Sequence, residues 1–313
     1  MNERCEVFCV GNAVADILAR PVDGLPAPGG SLRLDQVALV PGGNGVITSI
    51  ALARLGIPVR LAAPVGHDRL GQMIRETLQA EGVDCENVVT IDQATTASTV
   101  VLVQANGERR LLHFQGASAF LSAEHLDWSR LEGARILHYA TAFSMPALDG
   151  EPLAGVMARA RQMGCTTSLN VCWDQRGRWL SLLRPVLPHT DIIFPNQDEG
   201  FQLTGEKDPA AIAACLRRAG VQTAVVKLGA EGCYVDGPEG TFTAPGFRVT
   251  PVDTTGAGDC FAAGFLAALC RRKNLREAAR FANGTGALAT LALGGSDAAP
   301  TLQQVTALIA EQG

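Results

Sequence analysis

Asp253-Thr254-Thr255-Gly256-Ala257-Gly258-Asp259 runs directly into the apolar stretch from Cys260 to Leu269. Two glycines and an alanine stand just ahead of a long helical pattern and leave the first backbone N–H groups of that helix uncovered. A helix start of this kind favours an anion, through its unpaired N–H groups and through the helix dipole. Asp259 brings a carboxylate to the same place. A carboxylate beside an anion site is electrostatically awkward unless it has chemistry to perform. The chemistry that suits it is removal of a proton from a hydroxyl attacking a phosphoryl group, while the N–H groups take the transferring charge. The plain alternative is a glycine-rich turn with an acidic residue in the first helical turn, which is stabilising in its own right.

Working outward from that helix, strand and helix patterns alternate along the chain. Residues 6–10, 59–63, 135–139, 167–171, 191–194 and 223–228 read as strands. Residues 45–55, 70–80, 152–163, 208–219, 259–272, 275–293 and 301–311 read as helices. This alternation predicts an α/β fold with a mainly parallel central sheet and helices on both faces. Ligands of such folds sit at the carboxyl ends of the strands. Two segments depart from the pattern. Residues 31–40 alternate polar and apolar, and so do residues 99–114, with Asn106-Gly107 between their halves. Asn-Gly between alternating runs is a strong hairpin signal. These strands are expected to form a small accessory sheet, either a surface hairpin without a role or a lid that excludes water from a phosphoryl-transfer site.

The 313 residues are 47% hydrophobic and 18% charged, enough for a sizeable core and too apolar for a disordered chain. A net charge of −5 without a basic block argues against nucleic acid as a partner. Nine cysteines, an odd number with no CxxC pair, point to free thiols in a reducing, cytoplasmic setting. The five histidines lack HxxxH or HExxH spacing, which argues against a structural zinc site. No apolar run reaches membrane-spanning length, and no signal core precedes the first strand.

With these residues in view, the chain resembles the ribokinase-like (PfkB) family of carbohydrate kinases from Gly11 to Gly295, most specifically in the segment that ends at Asp259. The resemblance implies a ribokinase-like three-layer fold with a small β-sheet lid. It implies one kinase domain over residues 1–313, with lid strands from about 14–40 and 96–115 inserted in it. By the resemblance Asp259 is the catalytic base, and the N–H groups of Gly256, Ala257 and Gly258 form the anion hole. Asn196 and Glu199 match a motif that positions magnesium, Glu199 through water, and the ATP phosphates. Magnesium suits an amide and a carboxylate at a strand end. The same two residues also read as a helix capping box.

The segment Lys227-Leu228-Gly229-Ala230-Glu231-Gly232 lies along the nucleotide in the family, where Gly229 and Gly232 would let backbone approach the ligand. It reads equally as a β-turn, with Lys227 either near the phosphates or simply a strand-end charge. Asn283 matches a position flanking adenine, and otherwise reads as a solvated mid-helix residue. On the substrate side, Asp16 matches the residue that grips sugar hydroxyls, a carboxylate being a good acceptor for two adjacent ones. Asn12, Gly42, Gly43 and Asn44 belong to the same side. Asp16 alone could be a turn or cap residue. Relatives carry a sugar-contacting Asn where this chain has Ile47, so that hydrogen bond is missing or is supplied by Asn44 or Thr48.

Asn170 stands where many relatives have Asp. Arg176 and Arg178 read either as an anion site for the substrate or as surface arginines packed on Trp173 and Trp179. Arg109 and Arg110 read either as anion ligands or as protection of a sheet edge. Several relatives bind a monovalent cation beside the anion hole, and Asp253, Thr255 and residues 291–296 are the corresponding region; potassium dependence stays open.

The resemblance implies ATP, Mg2+ and a sugar or sugar-like small molecule phosphorylated on a primary hydroxyl, and admits a homodimer through the lid. A ribonucleoside kinase is the first alternative. Against it, the chain has only two tyrosines and eleven phenylalanines, with Phe8, Phe114, Phe120 and Phe143 better suited to the core. A non-catalytic sugar-binding regulator is the second. A nicotinamide dehydrogenase is disfavoured because no GxGxxG follows the first strand.

Overall fold

The computed structural model describes residues 6–105 and 108–312. A nine-stranded sheet forms among the described residues. At its heart is β1 (Val7–Val10), buried on both sides. Val7 and Cys9 enter one hydrophobic core, and Phe8 and Val10 the other. A continuous apolar run with alternate residues facing opposite cores is what a parallel strand between two helical layers requires.

Two further strands, β2 (Val14–Arg20) and β3 (Gln36–Gly42), leave the main sheet. Helix α1 (Asn44–Arg54) leads into β4 (Val59–Gly66), and α2 (Arg69–Ala80) into β5 (Val88–Ile91). β6 (Ala97–Val103) and β7 (Arg109–Phe114) join β2 and β3. Then follow β8 (Ile136–Ala142), α3 (Glu151–Gln162), β9 (Thr166–Val171), α4 (Trp179–Leu183) and β10 (Ile192–Phe194). The rest comprises α5 (Gln197–Thr204), α6 (Pro209–Arg218), β11 (Thr223–Lys227), β12 (Gly232–Gly237) and β13 (Gly240–Pro245). Helices α7 (Ala257–Cys270), α8 (Leu275–Ala289) and α9 (Leu302–Glu311) close the chain.

The strand order of the main sheet is β13-β12-β11-β10-β9-β8-β1-β4-β5. It is parallel from β11 to β5, and the β12–β13 hairpin adds an antiparallel edge. That hairpin and β5 have no counterpart in the strands expected from sequence. The small sheet runs β3-β2-β6-β7. β6 and β7 are antiparallel, with Val103 opposite Arg109. The expected Asn106-Gly107 turn lies outside the described residues.

Two expected boundaries move. The strand expected over residues 31–40 starts at Gln36, opposite Arg20. Pro21 follows Arg20 and has no N–H with which to continue the ladder. The helix expected over residues 275–293 ends at Ala289. The Thr290 carbonyl accepts from the N–H groups of Val252 (2.7 Å) and Asp253 (3.1 Å). The Gly294 N–H, which another helical turn would direct to that carbonyl, goes to Asp253 Oδ2 at 3.1 Å. Tertiary pairing thus replaces the last turn. Phe8 and Phe143 are buried as expected, whereas Phe114 and Phe120 are exposed.

Candidate active site

The parallel strands end at one edge of the sheet, and several polar side chains from those ends converge on the start of α7. Gly256 holds φ at 74° and caps α7 without a side chain. A Cβ there would lie 2.9 Å from Gly295 Cα, so only glycine permits the approach. The Ala257 N–H makes a long 3.3 Å bond to the Thr254 carbonyl and closes the turn. Gly256, Ala257 and Gly258 are all partly exposed, so the helix start faces outward.

Asp259, in the first turn of α7, is 5% exposed. Its Oδ1 accepts from Asn44 Nδ2 and from Asn170 Nδ2, each at 2.9 Å. Asn44 stands in the first turn of α1, so the starts of α1 and α7 meet at this carboxylate. Asn44 is oriented in turn by Thr141 at the end of β8, whose hydroxyl donates to Asn44 Oδ1 at 3.0 Å. Lys227, at the end of β11, donates from Nζ to Asn170 Oδ1 at 2.9 Å. A Cβ built on Gly258 would sit 3.2 Å from the same Nζ, so the ammonium lies over the helix start. Burial pushes the Asp259 carboxyl up to about 7, against the opposing pull of the Asn44 amide and the Lys227 charge. A carboxyl poised near neutrality is suited to proton abstraction.

Glu199 is buried and forms the capping box with Asn196: its backbone N–H donates to Asn196 Oδ1 at 2.8 Å, and its Oε2 accepts from the Asn196 N–H at 2.7 Å. The cap reading is therefore realised. Burial raises the Glu199 carboxyl, and Lys227 opposes the shift. Lys227 is electrostatically shared between Asp259 and Glu199. Among the described residues no group of three His, Cys, Asp or Glu side chains gathers closely enough to hold a metal. Asn196 and Glu199 are oxygen-bearing side chains of the kind that magnesium takes as ligands.

Other expected residues are placed differently. Asn283 is buried and donates both amide hydrogens' worth of contact to the carbonyls of Ala244 and Pro245, at 3.0 Å each, which ties α8 to β13. Gly232 serves the hairpin, since a Cβ there would lie 2.1 Å from the Ala244 carbonyl. A Cβ on Gly229 would meet nothing within 4 Å, so its face is open. Asn12 Oδ1 accepts from the Asn44 N–H at 2.8 Å and so fixes the start of α1. A Cβ on Gly43 would lie 2.8 Å from the Asn12 carbonyl, and one on Gly42 only 2.0 Å from Asp16 Oδ2. Gly42 thereby makes room for the Asp16 carboxyl, which burial lifts to about 6, with a Thr99 hydrogen bond opposing.

Thr48 is fully buried and its hydroxyl has no partner among the described residues, so it does not reach a ligand from the surface. Ile47 packs instead on Gly256 at the helix start and on Gly295 in the loop after α8: its side chain would be 3.1 Å from a Cβ on Gly256 and 2.5 Å from one on Gly295. Arg178 pairs with Asp174 at 3.1 Å, while Trp173 meets Trp179 edge-on at 5.0 Å. Arg176 is exposed. Arg109 has a partner that sequence reasoning missed: its Nη1 lies 2.6 Å from Asp253 Oδ1. Nothing local marks that pair, because Arg109 stands on β7 and Asp253 in the loop before α7, far apart in the chain.

A cavity of about 240 Å³ opens between the small sheet and the loop before α7. Asp16, Arg20 and Arg109 face it from the small sheet, and Asp253, Thr255 and Gly294 from the other wall. No aromatic side chain lines it among the described residues.

The sequence model of the pfkB family carbohydrate kinases matches residues 5–302. The chain is 30% identical to an ATP-dependent ribose-1-phosphate kinase from Halopiger xanaduensis, with 98% of each chain covered. A ribokinase from Thermotoga maritima has the same fold, with a TM-score of 0.85 over 98% of this chain and 99% of that one at 24% identity. A ribokinase II structure from E. coli in complex with ATP and Mg2+ superposes with a TM-score of 0.84, covering 98% of this chain and 99% of that one at 25% identity. With a family match over nearly its whole length, the chain belongs to the pfkB family of carbohydrate kinases.

Proposed function

We propose that this protein is an ATP-dependent sugar kinase that transfers the γ-phosphoryl group to a primary hydroxyl of a sugar or sugar phosphate. The observation that carries the reading is the buried Asp259 carboxyl, pushed up to about 7 and fixed by two asparagine amides at an open helix start. The substrate hydroxyl lies against Asp259, which takes its proton. The N–H groups from Gly256 to Gly258 and the Lys227 ammonium receive the charge of the transferring group. Magnesium, when bound with ATP, supplies neutralisation of phosphate charge, and Asn196 and Glu199 are the residues that would hold it, through water. Asp16 accepts sugar hydroxyls from the cavity side. The small sheet acts as a lid that keeps water from the reacting phosphoryl group.

ADP release from Mg-ATP, measured against neutral sugars, sugar phosphates, sugar acids and nucleosides, tests the reading. The expected result is turnover with a sugar-class acceptor. A nucleoside as the best acceptor, or ATP binding with no acceptor at all, would instead support one of the alternative functions.

The outer strands of the small sheet also suit self-association. Val37 on β3 and Leu111 and Leu112 on β7 are 63%, 63% and 60% exposed. Exposed strand edges with large aliphatics favour pairing with another copy. We expect a homodimer of about twice 32.8 kDa. Leu112→Glu should shift it toward monomer in light-scattering chromatography, and a wild-type monomer at all concentrations would remove the interface. No described helix is long and apolar enough to cross a membrane. The eight described cysteines are free thiols, which fits the proposed cytoplasmic setting.

A further inference from the structure

Asp253 fastens the two backbone segments that surround Gly256. Its Oδ1 accepts from the Thr255 N–H at 2.9 Å and the Thr255 hydroxyl at 2.7 Å, while its Oδ2 accepts from the Gly294 N–H at 3.1 Å. The side chain is 6% exposed. A buried carboxylate beside an anion hole needs a counter-charge, both for its own solvation and to avoid repelling the phosphoryl oxygens. The family resemblance implies a monovalent cation in this region.

The residues present do not fit that arrangement. The Arg109 guanidinium already lies 2.6 Å from Asp253 Oδ1, and its Nη2 reaches the Thr254 hydroxyl at 3.4 Å. A guanidinium makes short, directional contacts with carboxylate and, unlike a dissolved ion, is tethered to the chain.

We infer that Arg109 takes the place of the monovalent cation: it is the resident counter-charge of Asp253 and a positioning residue for the anion hole, so this kinase works without potassium. Because Arg109 stands on β7, the counter-charge arrives with the small sheet. The catalytic half of this inference rests on the kinase reading above; the binding half does not.

The test compares wild type, Arg109→Gln and Arg109→Lys in potassium chloride and in choline chloride at equal ionic strength, reading both melting temperature and rate of ADP release. Wild type should show no saturable potassium effect on either. Arg109→Gln in choline should lose roughly tenfold or more in kcat, because the uncompensated Asp253 charge opposes the charge that develops at the anion hole. Potassium or added guanidinium should restore part of that rate and raise the melting temperature of the variant. Arg109→Lys should fall between the two.

Potassium stabilisation or activation of wild type would overturn the inference, and this arm decides even if Arg109→Gln fails to fold. It would also be overturned by an Arg109→Gln enzyme as fast as wild type in choline, or by a slow one that neither cation restores. Wild type without any kinase activity would instead count against the proposed function, and the melting measurements would still judge Arg109.

Discussion

Asp259→Asn should abolish turnover while ATP still binds and the fold is kept. Removing a general base typically lowers the rate by roughly 10²- to 10⁴-fold. Asparagine preserves the volume and keeps an oxygen for the amides of Asn44 and Asn170, which lie 2.9 Å from Oδ1. What it removes is the proton acceptor. The stability of the variant gives an independent check with a definite sign. The folded carboxyl titrates near 7, against an ordinary value of 3.8. A group whose pKa is raised by folding contributes stability below its unfolded pKa and loses it as pH rises through the folded one. At pH 8 wild type therefore carries a buried charge that Asp259→Asn does not, and the variant should melt no lower than wild type. Its advantage should shrink as pH falls from about 7 toward 3.8. A variant that keeps near-normal rates would mean that another group takes the proton; one that melts well below wild type at pH 8 would mean that the loss is structural.

The parts of this site that were legible in the sequence are those whose physics is local. The glycines before Asp259 mark a helix start because the backbone there needs a positive φ and a close neighbour, and Gly256 meets both conditions. The cap formed by Asn196 and Glu199 is a three-residue spacing, and it is present as spaced. Buried strands such as β11 are short apolar runs that periodicity finds. What was not legible depends on the fold as a whole. Asn44 could be placed near the substrate but not assigned to Asp259, because its partner lies 215 residues away. The Arg109–Asp253 pair joins the small sheet to the loop before α7, and a charge on an exposed strand carries no mark of where its partner will be. The β12–β13 hairpin was missed for a related reason. Gly232 looks like a turn glycine, yet its need arises from the Ala244 carbonyl on the adjacent strand. The end of α8 was overrun because its apolar pattern continues, while the backbone bonds that end it come from Val252, Asp253 and Gly294.

Lys227→Met should carry the second largest effect, and its diagnostic is a pH profile rather than a rate alone. The lysine stands over Gly258 and is hydrogen-bonded to Asn170, which in turn holds Asp259. Its charge favours the ionised forms of both Asp259 and Glu199. In wild type, kcat/KM should rise with pH through an acid limb near 7, because the base works only when deprotonated. Methionine keeps the aliphatic length but removes the ammonium, so the carboxylate loses an opposite charge and the limb should move to higher pH. At pH 8 two losses then combine, a smaller fraction of ionised base and a missing cation for the transferring phosphoryl group. Loss of one such stabilising group lowers kcat by about 10²-fold in comparable sites. The two contributions separate by pH: raising it recovers the first and leaves the second. A limb that stays near 7 in Lys227→Met, with the rate lowered equally at every pH, would assign the lysine to the phosphoryl group alone. An unchanged rate would remove it from the reaction and leave it as the tether of Asn170.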